Sequence, residues 1–434
     1  MTQKTTARAG VLELLLRCEA AGQYANIALD TALNRSGLQD ADRALFTALF
    51  YGVIEHRITL DHIIDRLANM PPSGIERRVR MLLRLGLCQL LYFDRIPDHA
   101  AIYETVALTP GRSKGFVNAL LRRFCREGKR ICAPDRDEDL IGYLSVTYSV
   151  PAELAECFCR IWGTQDAERE LAALSLVPKT TVRVNTKRLA REEWIARFGG
   201  EPTRYAPHGV RFSDGAVLRD ALVAGLCFVQ DEASQICVAA LDAKGKDVLD
   251  VCAAPGSKSF GAALDGAARV CSYDLHDNKL SLIRRGAQAL GIDNLFADAR
   301  DARTASPETV GCFSRVLADV PCSGFGVLAK KPDIRYKSPT SAAGLPAIQR
   351  EILHRAADCV SPGGVLVYST CTVLPAENEE QILAFLAQRP EFSLAPFCVG
   401  ELSCDGMLSL TPARHGTDGF FIAKLIKGDK RDDN

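Results

Sequence analysis

Short apolar runs alternate with stretches of helical periodicity from about residue 231 to the end of the chain, and this alternation is what most restricts the fold. Alternating strands and helices form a parallel sheet with helices on both faces. We therefore predict an α/β domain over residues 231–427. Its predicted strands are 247–251, 270–274, 295–297, 315–318, 364–368 and 419–425.

Two other regions precede this domain. Residues 1–138 carry apolar side chains at helical spacing, such as Leu12, Leu15 and Leu16, and polar or proline-containing turns separate the runs. This pattern predicts an all-α domain. Residues 139–230 predict a small α+β domain that binds RNA or links the other two domains. Its predicted strands are 181–185, 210–212 and 227–229, with a helix at 192–198.

Composition limits the compartment and the partners. The chain of 434 residues has 53 basic and 53 acidic side chains, so any attraction to a polyanion must come from a local patch. Its 16 cysteines are scattered without a CxxC pair, which argues against a disulfide framework and a structural metal site. No signal peptide or membrane-spanning run is recognisable. We expect a cytoplasmic protein without metal or membrane partners.

The first motif is an apolar strand that runs into a loop of small residues and then into a helix, VLDVCAAPGSKS at 248–259. Small residues let a backbone approach a ligand, and a helix N-terminus favours an anionic group. The loop is neither the GxGxxG of dinucleotide enzymes nor a P-loop. A glycine-rich turn with no ligand is the alternative interpretation.

Acidic residues end the next two predicted strands. Asp274 follows the loop by roughly 20 positions, where such a residue commonly binds ribose hydroxyls. Asp298 at the end of the third strand is placed to lie beside a base. A helix cap is the alternative role for either residue.

Two cysteines follow two further strands. Asp319 and Cys322 lie in the run DVPCSG, and Cys371 lies in YSTCT. The carboxyl ends of parallel strands line the ligand crevice of an open sheet, so these side chains should converge there. Buried core thiols are the alternative, but the polar loops favour a functional role. Spacing alone leaves open which cysteine is the nucleophile.

These motifs together resemble those of the RNA cytosine-5 methyltransferases of the Sun/RsmB (Fmu) type, in the NOL1/NOP2/Sun superfamily, over essentially the whole chain. Besides the loop and the two cysteine motifs, the similar segments are QDEAS at 230–234, Asn378-Glu379 and HGTDGFF at 415–421. The second glycine of the usual loop is replaced by Ser257, and Lys330-Lys331 stands where the family often has Arg-His.

The resemblance implies a Rossmann-like methyltransferase domain that uses S-adenosyl-L-methionine. Cys371 would add to carbon 6 of a cytosine, which makes carbon 5 nucleophilic, and Cys322 would assist product release. Asp319 would contact both the base and the cofactor. The other implied cofactor-binding residues are Cys252, Ala253, Ala254, Pro255, Gly256, Ser257, Lys258, Asp274 and Asp298.

The first domain resembles the RNA-binding fold of the NusB antitermination factor, which this family fuses to the enzyme. Its basic cluster has Glu127 as the one opposing acid, and clustered cations neutralise RNA phosphates. A solvated helix face is the alternative. The predicted RNA-binding residues are Arg112, Lys114, Arg122, Arg123 and Lys331, with Arg126, Lys129 and Arg130 nearby.

Three hypotheses follow from the sequence. The first is a cytosine-5 methyltransferase of 16S rRNA, acting as a monomer on unassembled or partly assembled RNA. The second is the same chemistry on tRNA or 23S rRNA. The third is a non-catalytic RNA-binding or ribosome assembly factor, which would need neither Cys322 nor Cys371. Domain content favours the first only by analogy.

Overall fold

A computed structural model describes residues 6–21, 25–212 and 218–429. It divides into two compact units, one formed by Met1–Ser175 with Lys330–Ser338 and the other by Leu176–Ala329 with Pro339–Asn434. The three-domain division at residues 138 and 230, with RNA contacts in the middle segment, stays a prediction. No helix in the described ranges is long and apolar enough to cross a membrane.

The first unit is helical, as predicted. Its fifth helix lies at the centre of the unit, and Leu82, Leu83, Leu85 and Leu87 on it are fully buried. A helix that is apolar around most of its circumference must pack on several sides. The helices are α1 Ala7–Ala21, α2 Ala25–Ser36, α3 Asp40–Glu55, α4 Arg57–Ala68, α5 Arg77–Tyr92, α6 Asp98–Ala107, α7 Lys114–Arg126, α8 Leu140–Tyr148, α9 Ala152–Trp162 and α10 Thr164–Leu174.

The segment Lys330–Ser338 belongs to the helical unit although it lies between the two cysteine motifs in sequence. The Tyr336 hydroxyl donates to the carbonyl of Ile54 at 2.5 Å, and the guanidinium of Arg57 lies 3.7 Å from the centre of the Tyr336 ring. Arg335 is 2% exposed and donates to the carbonyl of Glu55 at 2.9 Å. A buried cation with such partners fixes this segment on the helices.

The second unit begins with a small antiparallel sheet. The strands are β1 Thr180–Val184, β2 Glu201–Pro202, β3 Gly209–Phe212 and β4 Cys227–Val229, in the order β2-β3-β1-β4. Helices α11 Arg191–Phe198 and α12 Leu218–Val223 accompany them. The alternation of apolar residues places Val182, Val184 and Val210 in a common core with the fully buried Trp194.

The large sheet has the order β10-β14-β9-β8-β5-β6-β7, and β13 pairs with β14. Its strands are β5 Asp247–Asp250, β6 Arg269–Asp274, β7 Leu295–Ala299, β8 Phe313–Asp319, β9 Val360–Thr370, β10 Phe392–Leu394, β13 Met407–Leu410 and β14 Phe420–Lys427, while β11 Phe397–Val399 and β12 Leu402–Cys404 form a separate pair. The helices are α13 Glu232–Leu241, α14 Ser257–Leu264, α15 Asp277–Leu290, α16 Pro307–Val310, α17 Leu345–Asp358, α18 Glu379–Gln388 and α19 Pro412–His415.

Strands β5 to β9 are parallel, as predicted, but the expectation of a wholly parallel sheet was wrong for the last strand. β14 runs antiparallel to β9 and to β13. The sequence between β9 and β14 contains four short strands, and the connection from β13 to β14 holds only the one-turn helix α19. A strand that follows its neighbour through a short connection pairs with it antiparallel.

Replacing Arg335 with alanine should destabilise the helical unit. The change leaves the carbonyl of Glu55 with only the 3.5 Å hydrogen bond from the Tyr336 hydroxyl and removes the cation beside the Glu55 carboxylate, at a cost of about 3 kcal/mol. Thermal unfolding of the full chain should show a lower midpoint for the helical transition. Lys331→Ala, an exposed change in the same segment, should leave it unchanged, and equal midpoints for both variants would refute this account.

Candidate active site

The parallel pairing of β8 with β9 places Asp319 in register with Ser369 at the carboxyl ends of the strands. The Ser369 hydroxyl donates to Asp319 Oδ1 at 2.7 Å, and Lys258 Nζ donates to Asp319 Oδ2 at 2.6 Å. Burial acts to lower the pKa of Lys258, but the charge and hydrogen bond of Asp319, together with the nearby thiols of Cys237 and Cys371, raise that pKa above its ordinary value. Lys258 is therefore an ammonium at neutral pH, and the two carboxylate oxygens of Asp319 are held by separate donors, one by Lys258 and one by Ser369.

The two cysteine loops meet beside this ion pair. Cys322 Sγ and Cys371 Sγ are 3.2 Å apart, and the backbone N–H of Cys371 donates to Cys322 Sγ at 3.3 Å. The hydrogen bond with Cys371, followed by burial, raises the pKa of Cys322 well above that of an ordinary thiol. Cys322 thus keeps its proton at neutral pH while Cys371 lies beside it. The structure brings together the thiols that the sequence predicted to converge.

Direct backbone contacts join the same loops. The N–H of Gly326 donates to the carbonyl of Cys371 at 3.0 Å, and the N–H of Gly419 donates to the carbonyl of Gly326 at 2.8 Å. A Cβ on Gly326 would lie 1.8 Å from the carbonyl oxygen of Gly419. Only glycine allows this close approach. The late HGTDGFF segment therefore packs on the cysteine loops.

The loop of small residues, Cys252–Gly256, lies between β5 and α14 at the same edge of the sheet. The N–H groups of Ala254 and His276 donate to Asp274 at 3.2 and 3.0 Å, so Asp274 at the end of β6 lies against the loop. Gly256 has a φ of 109°, and a Cβ there would lie 2.5 Å from the Phe260 ring. The helix therefore starts at Ser257 with an open N-terminus.

Asp298 is more exposed than the other acidic residues predicted to bind the cofactor. It is exposed on β7, beside Asp274's strand, and accepts a hydrogen bond from Arg300 Nε at 3.1 Å. Its side-chain hydrogen bonds in the described chain go to the backbone of Ala299 and the side chain of Arg300, both in its own segment. A role at the base of a ligand stays a prediction.

Asp250, which the sequence analysis did not single out, ends β5 directly before the loop. It is 1% exposed and accepts a hydrogen bond from the Ser259 hydroxyl at 2.7 Å, which in turn contacts the Ser272 hydroxyl at 2.8 Å. Burial raises the pKa of Asp250 to about 7. The sequence signal was an acidic residue inside an apolar strand, where a carboxylate has few ways to be solvated.

The basic cluster predicted on the helical unit is partly neutralised. Arg112 pairs with Glu76 at 2.7 Å, and Lys129 pairs with Asp98 at 2.6 Å. The expectation of a single opposing acid was therefore wrong, because these acids come from other parts of the helical fold. Arg123 pairs with Glu127 at 2.8 Å, as the sequence suggested, and Arg126 and Arg130 are exposed.

Lys114 and Arg122 are the predicted residues of this cluster that keep their charge available. Both are exposed on α7, and neither forms an ion pair within the described part of the chain. Arg122 Nε donates to the neutral amide of Asn118 at 2.9 Å. Lys331, in the segment that returns to the helical unit, is also exposed.

The described residues contain no group of three or more His, Cys, Asp or Glu side chains arranged to hold a metal ion. The polar groups at the sheet edge are instead thiols, one ion pair, the buried acids Asp250 and Asp274, and backbone N–H groups. Such a set can form and break a covalent bond to sulfur and can hold a proton near neutral pH.

Comparison with known proteins identifies relatives of both units. Residues 238–426 match the family model described as 16S rRNA methyltransferase RsmB/F, and residues 5–126 match the NusB family. The chain is 37% identical to the probable ribosomal RNA small subunit methyltransferase B of Bacillus subtilis, covering 98% of this chain and 99% of that one. It is 34% identical to the ribosomal RNA small subunit methyltransferase B of Klebsiella pneumoniae, covering 90% and 91%. The crystal structure of PH0851 has a TM-score of 0.77 at 25% identity and covers 98% of this chain and all of that one.

Asp250→Asn should change how stability depends on pH. In the folded protein the pKa of Asp250 is raised to about 7, whereas in the unfolded chain it is about 4. The contribution of this carboxyl to stability is therefore fully present below about pH 4 and is lost as the pH rises through about 7. Asparagine does not ionise. The free energy of unfolding of the wild type, relative to the variant, should fall by on the order of 2 kcal/mol between pH 5 and pH 8. Urea unfolding at both pH values measures it, and a constant difference would contradict the raised pKa.

Proposed function

Because the chain belongs to the RsmB/F family of 16S rRNA methyltransferases, we propose that it methylates carbon 5 of a cytosine in 16S rRNA through a covalent cysteine adduct. The observation that carries this proposal is the pair of thiols 3.2 Å apart, beside the Lys258–Asp319 ion pair. A single thiol suffices for a nucleophile. A second thiol in contact with it provides for the release step.

The sheet edge fits S-adenosyl-L-methionine, the cofactor of this family. The loop Cys252–Gly256 has small side chains that let a ligand approach its backbone, and the N-terminus of α14 at Ser257 and Lys258 favours the carboxylate of the cofactor. Asp274, at 8% exposure and held by two backbone N–H groups, is oriented to accept from ribose hydroxyls. When bound, the cofactor supplies an electrophilic methyl group.

The first chemical step is assigned to Cys371. Its thiolate adds to carbon 6 of the cytosine, so that the S–C6 bond forms and the ring becomes an enamine that is nucleophilic at carbon 5. The ring nitrogen must take up a proton as sulfur adds. Lys258 donates to Asp319, and this pair can relay an ammonium proton to the nitrogen.

The release step is assigned to Cys322. The hydrogen bond with Cys371 is the main reason why the pKa of Cys322 is raised. Once Cys371 is bonded to carbon 6, it no longer carries the charge that holds this proton in place. Cys322 can then give its proton to solvent and accept the one from the methylated carbon 5, whereupon the S–C6 bond breaks, Cys371 leaves as thiolate and the ring nitrogen returns its proton to the Lys258–Asp319 pair.

The substrate proposal follows from the relatives and from the helical unit. A cytosine within a stem must leave its stack before it can reach a thiol. We therefore propose unassembled or partly assembled 16S rRNA, in the cytoplasm, as the substrate of a monomeric enzyme. Lys114 and Arg122 on α7 are proposed to contact its phosphates.

Transfer of labelled methyl from S-adenosyl-L-methionine to purified 16S rRNA, 23S rRNA and tRNA, followed by nucleoside analysis, tests the activity. We expect 5-methylcytosine in 16S rRNA, and none with Cys371→Ala. With Cys322→Ala we expect a covalent RNA–protein adduct that survives denaturing electrophoresis, because addition proceeds and release does not. Label in another RNA alone would overturn the 16S assignment. No label from folded protein would favour a binding factor.

Replacing Lys114 and Arg122 together with alanine should weaken RNA binding uniformly across sequences. Each lost phosphate contact should reduce the slope of log affinity against log salt by about 1. Binding measured by filter retention from 50 to 300 mM KCl reports the slope. Lys246→Ala, at the amino end of β5 and away from the carboxyl-end crevice, is the control that should leave the slope unchanged. An equal slope for the double variant would remove α7 from the RNA-binding surface.

A further inference from the structure

A buried glutamate and a buried glutamine lie directly beneath the Cys322 loop. Glu377 is 1% exposed, and its Oε2 accepts hydrogen bonds from the backbone N–H of Ser323 at 3.0 Å and from Gln349 Nε2 at 2.7 Å. Gln349 is fully buried on α17 and its Nε2 also donates to the carbonyl of Pro321 at 2.9 Å. The backbone on both sides of Cys322 is thus tied to this one pair of side chains.

The same residue is tied to the strand that carries Cys371. The hydroxyl of the buried Tyr368 on β9 donates to the carbonyl of Glu377 at 2.7 Å. The hydroxyls of Ser323 and Thr372 lie 2.7 Å apart, which links the residue after each cysteine. Glu377 therefore lies where the supports of both cysteine loops meet.

A purely structural role explains this arrangement poorly. Burying a carboxylate is costly unless a cation or several donors compensate it. Within the described chain Glu377 has no cationic partner, and its Oε1 accepts no hydrogen bond. After the hydrogen bond with Cys371, burial and the charge of Cys371, the negative charge of Glu377 also contributes to the raised pKa of Cys322.

We propose that Glu377, held by Gln349, is the positioning residue that fixes the Cys322 thiol against Cys371 for the release step. The inference rests on the proposed covalent mechanism and assigns this step a support that neither cysteine motif contains. Glu377 contacts the backbone next to Cys322 and acts through that cysteine. Its loss should slow release of the methylated RNA much more than formation of the adduct.

The experiment follows adduct formation and 5-methylcytosine release separately, in single turnovers on 16S rRNA. A misplacement of about 1 Å costs about 100-fold in rate, so Glu377→Ala should slow release about 100-fold while adduct formation changes little. Gln349→Met should act in the same direction. Glu377→Gln keeps an acceptor for both donors and should restore most of the release rate. Glu380→Ala, exposed three residues later, should match wild type.

A double variant distinguishes positioning from general destabilisation. In a Cys322→Ala background, where release is already blocked, Glu377→Ala should leave the rate of adduct formation unchanged, because the group that it positions is gone. Equal slowing of adduct formation and release in the single variant, or slower adduct formation in the double variant than in Cys322→Ala, would overturn the proposal. If Glu377→Ala does not fold, Gln349→Met decides by the same two rates. Wild-type protein that forms neither adduct nor 5-methylcytosine would instead sink the proposed function.

Discussion

The pairing of β8 with β9 in parallel register, with Asp319 opposite Ser369, is the constraint on which the site depends. Both strands end at the same edge of the sheet, so the loops that follow them must run side by side. The side-chain period of a strand is two, and a slip of one residue would turn Ser369 away from Asp319. The 3.2 Å separation of the thiols of Cys322 and Cys371 is a consequence of this register.

The pairing of β5 positions the cofactor loop in the same way. It pairs with β8 on the side opposite β9, so three adjacent strands deliver the loop, the acid and both cysteines to one place. Lys258 is the link between them, because it lies on the first turn of α14 and reaches Asp319. A lysine with 8% exposure needs this partner, since an unpaired buried ammonium is costly. The ion pair therefore holds the cofactor loop to the cysteine loops, and the mechanism proposed above also assigns to it the proton for the ring.

The sequence predicted the parts of the site that depend on local order. Strand ends can be recognised from apolar runs and turn residues, and parallel strands bring their carboxyl ends together, so the placement of Asp319, Cys322 and Cys371 followed without a structure. The sequence did not reveal contacts between distant positions. Gln349 reaches Glu377 from another helix, and the antiparallel course of β14 depends on its pairing with β13. No period or motif encodes such partners.

The basic cluster of the helical unit shows the same limit of prediction from sequence, because its charges depend on partners that are distant in the chain. Glu76 and Asp98 neutralise two cations of the α7 cluster because the helical fold brings them there from earlier in the chain. Counting charges near α7 in sequence overstates its field, because a paired cation attracts phosphate less than a free one.

The segment Lys330–Ser338 leaves the catalytic unit directly after the Cys322 motif and is fixed on the helical unit by the buried Arg335. The motif that carries Cys322 is thus covalently continuous with a segment whose stability belongs to the helical unit. The Cys322 loop itself is held within its own unit, by the N–H of Gly326 on the carbonyl of Cys371 and by the N–H of Ser323 on Glu377. One stretch of chain is therefore fixed by two separate sets of contacts, one in each unit.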